Sequence, residues 1–455
     1  MMKKLTAFLK AYALPIFAVF AIVLGIVFVN GSKNATSAKA GRTPVVFWNE
    51  MGGPAEVALD KLVDDFNKSQ NKYEVIPQYQ GAYDEAVQKI IQSHGTSASP
   101  ALLFQSFDIS TAQMMHSKYT TPVQKFIDED NYDVSDISPV ARSFYSNKGK
   151  QLAMPFNTSQ PVLYYNASLF KKYGVTPPSK SPSYSEVTRA AKELYEKSHH
   201  KVKGMTMEIY GWLMEEALAN AHTSLINNGD GHTGTPTKIN LNNPATKKFL
   251  SWIRTNIKSG DFVNYGSGSS AENNEIAAFL ANKLGIFVQS SAYISQLTTG
   301  TKNKLGISYF PHPDGVKANG VGIGGAALWI SNDKPKKTQR GAWEFIKFAE
   351  KSKNQAEWQK ATGYLALNKN SQKEKVLQDL YKKIPSAKVP GEQLASAKPN
   401  NTNSGILMEG MQLTRELEET AMETVYDGGN INSALNTANK AMNANLKTTN
   451  KANGR

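Results

Sequence analysis

The sequence contains no cysteine among its 455 residues. Disulfide bonds, thiolate zinc sites, iron–sulfur clusters and cysteine nucleophiles are therefore excluded, and so is a lipid-modified cysteine near the N-terminus. Histidine is scarce as well, because the chain has only seven, and none is placed in an H-E-x-x-H or related zinc-binding spacing. We therefore expect no metal and no cofactor.

Motifs of the common enzyme classes are also missing. The sequence has no G-x-S-x-G elbow of an α/β-hydrolase and no G-K-[ST] phosphate loop. One formal match to the dinucleotide-binding pattern exists at Gly320, Gly322 and Gly325, but it leads into the strand-like run AALWI. That pattern requires a helix after the glycines. No pairing of a general acid with a general base is indicated, so we expect no catalytic residues.

Basic residues are in excess, but they are not concentrated. The chain has 52 Lys and Arg against 38 Asp and Glu, a formal net charge of +14, and it contains no long basic block. A nucleic-acid-binding arm is therefore not indicated. A diffuse positive charge is equally suited to a protein attracted to an anionic cell envelope.

The N-terminal segment has the pattern of an export signal. Three lysines precede a charge-free run from Ala11 to Val29. As a helix this run would reach roughly 28 Å, close to the hydrocarbon thickness of a bilayer. The following polar stretch contains Ala38–Ala40, which fits a signal-peptidase site. Residues 1–42 are thus predicted to be a signal peptide cleaved after Ala40, or an uncleaved membrane anchor with its linker. Both alternatives place the remaining chain outside the cytoplasm.

Short strand-like runs alternate with helix-like runs in the rest of the chain. Strands are predicted at Pro44–Trp48, Tyr73–Tyr79, Pro100–Phe107, Gln160–Asn166, Lys283–Gln289 and Gly325–Ile330. Helices are predicted from Pro54 through Phe66, at Tyr83–Gln92 and in the last hundred residues, where apolar side chains recur at helical spacing up to Leu446. This order predicts two α/β lobes, each built on a mainly parallel sheet covered by helices.

Several phrases together resemble one family of transport proteins. They are PVVFWNEM at 44–51, SPALLFQSFDISTAQMM at 99–115, PFNTSQPVLYYNASLFKKYGV at 155–175, GIGGAALWIS at 322–331, ATGYLAL at 361–367 and GMQLTRELEET at 410–420. In this order they resemble the extracytoplasmic solute-binding proteins of ABC importers, in the branch that includes maltose-binding proteins. Within that branch the chain looks most like the sn-glycerol 3-phosphate-binding proteins.

The resemblance implies a two-lobed periplasmic-binding-protein fold of type II. Each lobe would hold a mixed, mainly parallel sheet flanked by helices, and a hinge would link the lobes around a central cleft. The expected first lobe comprises residues 43–157 with 323–367, and the expected second lobe comprises 158–322 with 368–455. Family members from Gram-positive-type envelopes usually carry a lipid-bearing cysteine. This chain lacks one, and the N-terminal apolar run could take its place.

Arg415 matches the arginine that binds phosphate in the glycerol phosphate group. Its planar fork of donors suits a phosphate bidentately. It lies in a helix-like segment rich in acidic residues. The alternative is therefore a surface ion pair with Glu419, one helical turn away, which would contribute only a few tenths of a kcal/mol.

Further ligand-binding residues are implied by the same resemblance or by turn chemistry. Hydroxyl donors are expected from two turns that flank strands, aromatic walls from three positions, and a close backbone approach from a glycine pair. These residues are Thr158, Ser159, Ser290, Ser291, Tyr83, Trp212, Tyr364, Gly324 and Gly325. Each also has a plain structural alternative: a capped turn for the hydroxyls, core packing for the aromatic rings, and strand crossing for the glycines.

Asp108 follows the buried strand PALLFQSF. Open α/β sheets bind ligands beyond the carboxyl ends of their strands, so its carboxylate is expected to accept hydrogen bonds from ligand hydroxyls. It matches a position that is usually glutamate in glycerol phosphate binders. The shorter side chain leaves open whether a monoester, a glycerophosphodiester or another polyol is preferred.

The sequence therefore predicts a non-catalytic solute-binding protein. It would capture sn-glycerol 3-phosphate or a glycerophosphodiester and deliver it to the transmembrane subunits of an ABC permease. We expect a monomer that binds no nucleic acid and meets the membrane only through its N-terminal segment. An oligosaccharide-binding protein of the same fold and an extracellular phosphodiesterase are the alternatives.

Overall fold

The computed structural model describes residues 38–96, 101–300 and 304–455. The apolar run Ala11–Val29 lies outside these residues. Within the described part of the chain, no helix is both long and apolar enough to cross a membrane. The same residues contain no group of three or more histidine, aspartate or glutamate side chains arranged to hold a metal ion.

The strands are numbered in chain order. They are β1 (Thr43–Asn49), β2 (Tyr73–Tyr79), β3 (Leu103–Phe107), β4 (Thr120–Thr121), β5 (Ser146–Asn147), β6 (Lys150–Gln151), β7 (Met154–Ser159), β8 (Pro161–Asn166), β9 (Lys203–Met207), β10 (Phe262–Val263), β11 (Leu284–Ser290), β12 (Leu305–Tyr309) and β13 (Gly324–Ser331). The long strands lie where the alternating apolar patterns predict them.

The helices connect and cover these strands. The α-helices are Pro54–Ser69, Tyr83–Ser93, Thr111–Ser117, Gln124–Asp130, Pro139–Phe144, Ala167–Tyr173, Tyr184–Lys197, Gly211–Asn220, Asn227–Asp230, Pro244–Ser259, Gly268–Leu280, Ile294–Gly300, Lys336–Ala349, Ser352–Thr362, Lys375–Lys383, Val389–Ser396, Met411–Tyr426 and Ile431–Ala452. Short 3₁₀ helices span Asp108–Ser110, Ser291–Tyr293, Lys369–Lys373 and Pro385–Lys388.

The larger sheet has the strand order β2-β1-β3-β13-β4, and β7 also pairs with β13. Strands β2, β1 and β3 run parallel to one another. Strand β13 runs antiparallel to β3, β4 and β7. One apolar cluster surrounds this sheet, and Trp329 and Trp343 are completely buried in it. The helix Pro54–Ser69 buries Leu59, Leu62, Val63 and Phe66 against it, the face that its sequence period predicts.

The second sheet has the order β10-β9-β11-β8-β12. Strands β10, β9 and β11 are parallel, whereas β8 is antiparallel to both β11 and β12. Both sheets are therefore mixed. Parallel pairing is confined to three neighbouring strands in each, so the expectation of mainly parallel sheets holds for only one side of each sheet. The chain returns from the other half of the molecule before β13 and before β8, and a strand entering that way can run antiparallel.

Gln160 links the segments that cross between the two sheets. It lies between β7 and β8 and is fully buried. Its side-chain amide donates to the carbonyl oxygens of Val321 and Gly322 at 3.3 and 2.9 Å. The amide of Gln393 donates to its side-chain oxygen at 3.1 Å. Three distant chain segments are thereby joined at one buried point, which lies next to the expected hinge phrases.

The apolar side chains form separate clusters around the two sheets. The cluster around the first sheet draws on chain segments 45–156 and 323–367, and it also includes Leu394 and Ala397. The clusters around the second sheet draw on residues from 162 to 321 and from 387 to 446. The lobe boundaries given above stay a prediction, and Leu394 and Ala397 pack outside the lobe assigned to them.

Candidate functional site

A cavity of about 790 Å³ lies between the two sheets. Its walls come from segments of both halves of the chain, including the ends of β3 and β11 and the start of β13. Most residues expected at the site line it together. They are Tyr83, Asp108, Ser159, Trp212, Ser290, Gly324, Gly325, Tyr364 and Arg415. We call this cavity the cleft.

Arg415 extends into the cleft from the helix Met411–Tyr426, and only 9% of its side chain is exposed. Its Nε and Nη2 atoms donate to the two carboxylate oxygens of Glu215 at 2.7 and 2.9 Å. Its Nη1 and Nη2 atoms face the carboxylate oxygens of Asp108 at 3.4 and 3.3 Å. The surface pair with Glu419 is therefore wrong. Glu419 instead accepts a hydrogen bond from the backbone of Gly211.

The charges in this cluster influence one another strongly. Burial lowers the pKa of Arg415, but Asp108 and Glu215 outweigh it and hold this pKa well above its ordinary value. Burial raises the pKa of Asp108, against the opposing effect of Arg415. Burial also raises the pKa of Glu216 to about 8 despite a hydrogen bond from the backbone of Gly322. Arg415 thus remains a cation among several acids.

Asp108 is held at the end of β3 by its own turn. It opens the 3₁₀ helix Asp108–Ser110, and its Oδ1 accepts a hydrogen bond from the backbone of Ile109 at 2.7 Å. Because the end-on edge of Arg415 also faces its carboxylate, this side chain is an ion-pair partner in the structure.

Trp212 forms a wall of the cleft and lies next to Gly324. The ring starts from the first turn of the helix Gly211–Asn220 and is 4% exposed. A Cβ atom on Gly324 would lie 2.8 Å from its Cζ2 atom, so only glycine leaves room for the ring. Among the residues that the structure describes, the Trp212 indole N–H has no hydrogen-bond partner. A donor is therefore left over at the cleft wall.

The expected hydroxyl residues divide into two groups. Ser159 and Ser290 line the cleft. Thr158 and Ser291 are fully buried and are not among its lining residues. The Ser291 hydroxyl accepts from the backbone of Gln160 at 3.2 Å. Because side chains alternate in direction along a strand, Thr158 and Ser159 cannot both face the same side. For Thr158 and Ser291, the structural alternative describes the observed position.

The two tyrosines come from opposite ends of the chain. Tyr83 stacks on Phe107 with ring centroids 5.1 Å apart, and its hydroxyl oxygen accepts from the Asn157 amide at 3.0 Å. Tyr364 lies over Trp358 with centroids 6.3 Å apart. Both rings are half-buried and combine core packing with exposure to the cleft.

Several lining or supporting residues were not expected from the sequence. Glu215 supports Arg415, and Gln289, Glu272, Tyr210 and Tyr293 line the cleft. Glu215 follows Trp212 at a spacing of three residues on one helix, so their shared face was available as a signal. Gln289 ends a strand-like run before two serines, which offered no distinct signal.

Gln289 stands between two buried acids. Its amide donates to Glu208 at 2.8 Å and to Glu275 at 3.2 Å. Burial raises the pKa of Glu208 to about 8 and that of Glu275 to about 9, and the repulsion between acids adds to the shift in each case. Both carboxyl groups are therefore largely protonated at neutral pH.

Comparison with known proteins identifies the family. The profile of the bacterial extracellular solute-binding proteins matches residues 61–385. The sn-glycerol-3-phosphate-binding periplasmic protein UgpB of Yersinia enterocolitica is 30% identical over 394 residues, which cover 85% of this chain and 88% of that protein. UgpB of an Escherichia coli strain is 29% identical, with the same shares covered.

Solved structures show the same fold. UgpB of Mycobacterium tuberculosis in complex with glycerophosphocholine superposes with a TM-score of 0.74 at 18% identity, covering 90% of this chain and 99% of that one. The sugar-binding protein MalE of Xanthomonas citri gives a TM-score of 0.75 at 17% identity with the same coverage. These likenesses confirm the two-lobed type II fold.

The family match covers most of the chain, and the relatives cover nearly all of the described part. The family is extracellular and these relatives are periplasmic, which confirms an extracytoplasmic location. The cleft between two α/β halves is where such a fold holds its solute. The chain therefore belongs to the bacterial extracellular solute-binding proteins, the components of ABC importers that capture the solute.

Proposed function

We propose that this protein captures sn-glycerol 3-phosphate or a glycerophosphodiester in the cleft and delivers it to a membrane permease without converting it. Arg415 carries this proposal, because it is the cationic side chain among the described residues that line the cleft. An anion in a buried site needs such a partner, since an unpaired buried charge costs several kcal/mol. The names of the UgpB relatives support the ligand class.

Neutral donors surround the place where a phosphate would meet Arg415. The unpartnered indole N–H of Trp212 and the hydroxyls of Ser159 and Ser290 lie in the same cleft. Gly324 and Gly325 carry no side chain there, so their backbone is open to a ligand. Charge-assisted hydrogen bonds from such groups are stronger than neutral ones. These residues, with Tyr83 and Tyr364 as walls, are the proposed binding residues.

The remaining features of the proposal concern the whole molecule. It acts as a monomer, performs no catalysis, and is secreted or held at the cell surface by residues 1–42. The binding-protein relatives support a role without catalysis.

Calorimetric titration and thermal unfolding test the ligand class. We expect sn-glycerol 3-phosphate or glycerophosphocholine to bind and to raise the unfolding midpoint, whereas inorganic phosphate and maltose should have little effect. A ligand that binds only the folded form stabilises it by mass action. If neither phosphate ester binds while maltose does, the proposed function is wrong.

Arg415→Ala removes the proposed phosphate partner. We expect affinity for the bound ester to fall about 30-fold to several thousand-fold, which corresponds to about 2–5 kcal/mol. Arg415→Lys should also weaken binding, because an ammonium cannot reproduce the bidentate fork. Arg189→Ala is the matched control, since Arg189 forms only an exposed helical pair with Glu193. Binding by Arg415→Ala within about threefold of wild type would contradict the phosphate role.

An oligosaccharide is the second candidate ligand, and the aromatic lining favours it. Rings stack on sugar faces, and six aromatic residues line the cleft: Tyr83, Phe107, Tyr210, Trp212, Tyr293 and Tyr364. Sugar binding should survive Arg415→Ala, whereas phosphate ester binding should not. The same pair of titrations therefore separates the two ligands.

An extracellular phosphodiesterase is the remaining alternative. Incubation with glycerophosphocholine, followed by an assay for free choline, tests it directly. Binding without choline release is expected.

A further inference from the structure

The guanidinium group of Arg415 offers two edges to acceptors, and in this structure both are occupied. Glu215 takes the side-on edge, formed by Nε and Nη2, at 2.7 and 2.9 Å. Asp108 takes the end-on edge, formed by Nη1 and Nη2, at 3.4 and 3.3 Å. The contacts to Glu215 are shorter by about half an ångström or more. Glu215 is therefore the closer partner.

The two acids also come from different parts of the molecule. Glu215 lies on the helix Gly211–Asn220, which packs on Arg415's own helix within the apolar cluster of the second sheet. Asp108 directly follows Phe107, which belongs to the cluster of the first sheet. A relative movement of the two sheets would separate Asp108 from Arg415 but would leave Glu215 in place.

The charges of the three side chains do not balance. One guanidinium and two carboxylates leave a net charge of −1 at a site whose members are at least 89% buried, since Arg415 and Glu215 expose 9% and 11% of their side chains. Other acids face the same cation. Glu216, Glu418 and Glu419 also influence Arg415 or are influenced by it. An incoming dianion would meet more repulsion here than a monoanion would.

We propose that Glu215 is a positioning and specificity-determining residue of the cleft. It fixes the side-on edge of Arg415, so that a ligand phosphate takes the end-on edge in place of Asp108. Its negative charge also offsets the cation, so that a monoanionic phosphodiester binds in preference to a dianionic phosphomonoester. This inference rests on the proposed function, because it assumes that a phosphate ester enters the cleft.

The experiment compares two ligands that differ in phosphate charge. Glycerophosphoglycerol is a monoanionic diester, and sn-glycerol 3-phosphate becomes a dianion as the pH passes about 6. Wild-type protein should prefer the diester at pH 8, and its relative affinity for the monoester should rise as the pH is lowered to 5.5. A wild-type preference that does not change with this ionisation would overturn the proposal.

Glu215→Gln removes the charge and keeps the shape. The ratio of monoester to diester affinity at pH 8 should rise about tenfold or more, as expected when a nearby like charge is removed. Glu215→Asp keeps the charge but shortens the reach, so it should weaken both ligands and leave the ratio unchanged. A purely structural role would lower both affinities by the same factor in Glu215→Gln. A ratio within about twofold of wild type in a folded Glu215→Gln protein would overturn the assignment.

Glu416→Gln is the matched control. Glu416 precedes Arg415's next neighbours on the same helix and is exposed, so removing its charge should leave the ratio unchanged. A similar rise in both variants would assign the effect to overall charge and would contradict a specific role for Glu215. Failure of wild-type protein to bind both esters would instead refute the proposed function, which keeps the two outcomes distinct.

Discussion

The ring of Trp212 lies against the backbone of Gly324, so close that a methyl group on that glycine would meet the ring at 2.8 Å. Trp212 comes from a helix beside the second sheet, and Gly324 begins the central strand of the first sheet. The cleft wall is therefore built by contact between two segments more than a hundred residues apart. Its shape depends on a residue without a side chain.

Gly325→Ala should destabilise the protein markedly. Gly325 has a φ of +102°, and an added Cβ would lie 1.9 Å from the carbonyl oxygen of Asn157 in the paired strand. The substitution combines a strained backbone, worth about 1–3 kcal/mol, with a backbone clash. Denaturant unfolding measures the loss. Gly315→Ala is the control, because Gly315 has a φ of +73° but open space around it. Equal losses in both variants would contradict the contribution of the clash.

Gln160→Leu should weaken the junction between the sheets. The substitution leaves the carbonyl oxygens of Val321 and Gly322 and the amide of Gln393 without this partner. Each buried polar group that loses its partner costs about 1–3 kcal/mol, so we expect a total loss of about 2–5 kcal/mol. Thermal and denaturant unfolding provide the measurement. Gln378→Leu, on an exposed helix face, should have little effect, and a similarly small effect at Gln160 would argue against the junction.

Stability should fall as the pH rises from about 5 to about 8. The pKa values of Glu208 and Glu275 are raised to about 8 and about 9. The native state therefore holds protons that the unfolded state has already released in this range. Each group contributes a slope of up to about −1.4 kcal/mol per pH unit. Unfolding free energies across this range test the sign.

Glu275→Gln should flatten that slope, because it removes one of the two buried acids. Glu193→Gln serves as the control, since Glu193 is an exposed partner in helical ion pairs. An identical slope in wild type and Glu275→Gln would mean that Glu275 does not titrate as described.

The ion pair between Asp108 and Arg415 should hold the two halves together in the absence of ligand. Asp108→Ala removes it, so the ligand-free variant should have a larger radius of gyration than wild type in small-angle scattering. Saturating ligand should bring both proteins to the same smaller radius, as expected for hinge closure. Radii that respond neither to the substitution nor to ligand would contradict this motion.

Residues 1–42 should direct export. Lys39 and Ala40 are exposed, and the backbone of Arg42 donates to the Lys39 carbonyl at 3.0 Å in a surface turn, so the Ala40–Gly41 bond lies at the surface. Cell fractionation should find the protein outside the cytoplasm. N-terminal sequencing then distinguishes the alternatives, because a chain beginning at Gly41 has been cleaved and an intact N-terminus indicates an anchor. A protein confined to the cytosol would refute the export role.

Local patterns predicted the elements of the fold well, because they depend on neighbouring residues. The strand at Tyr73–Tyr79 and the helix starting at Tyr83 occur as predicted. Strand direction could not be obtained in this way. Whether β13 runs parallel or antiparallel to β3 depends on where the chain has been during the intervening residues, and the sequence period carries no information about that path.

The candidate site was predictable in membership but not in its interactions. The resemblance placed Arg415 and Asp108 at the site, and both line the cleft. Their contact joins residues 307 positions apart, so no spacing rule could indicate it. Glu215 was missed for the same reason: a glutamate on a helix face is usually solvated, and only the tertiary fold shows that this one is 11% exposed against a cation.

The position of β13 constrains the order in which an exported chain can complete its fold. This strand lies between β3 and β4 and also pairs with β7, yet it begins only at Gly324. A chain that emerges from a membrane with its N-terminus first would expose β3 with an unpaired edge until more than three hundred residues had followed. Unpaired edges invite aggregation. The first lobe, although it begins the domain, must therefore be among the last parts to close.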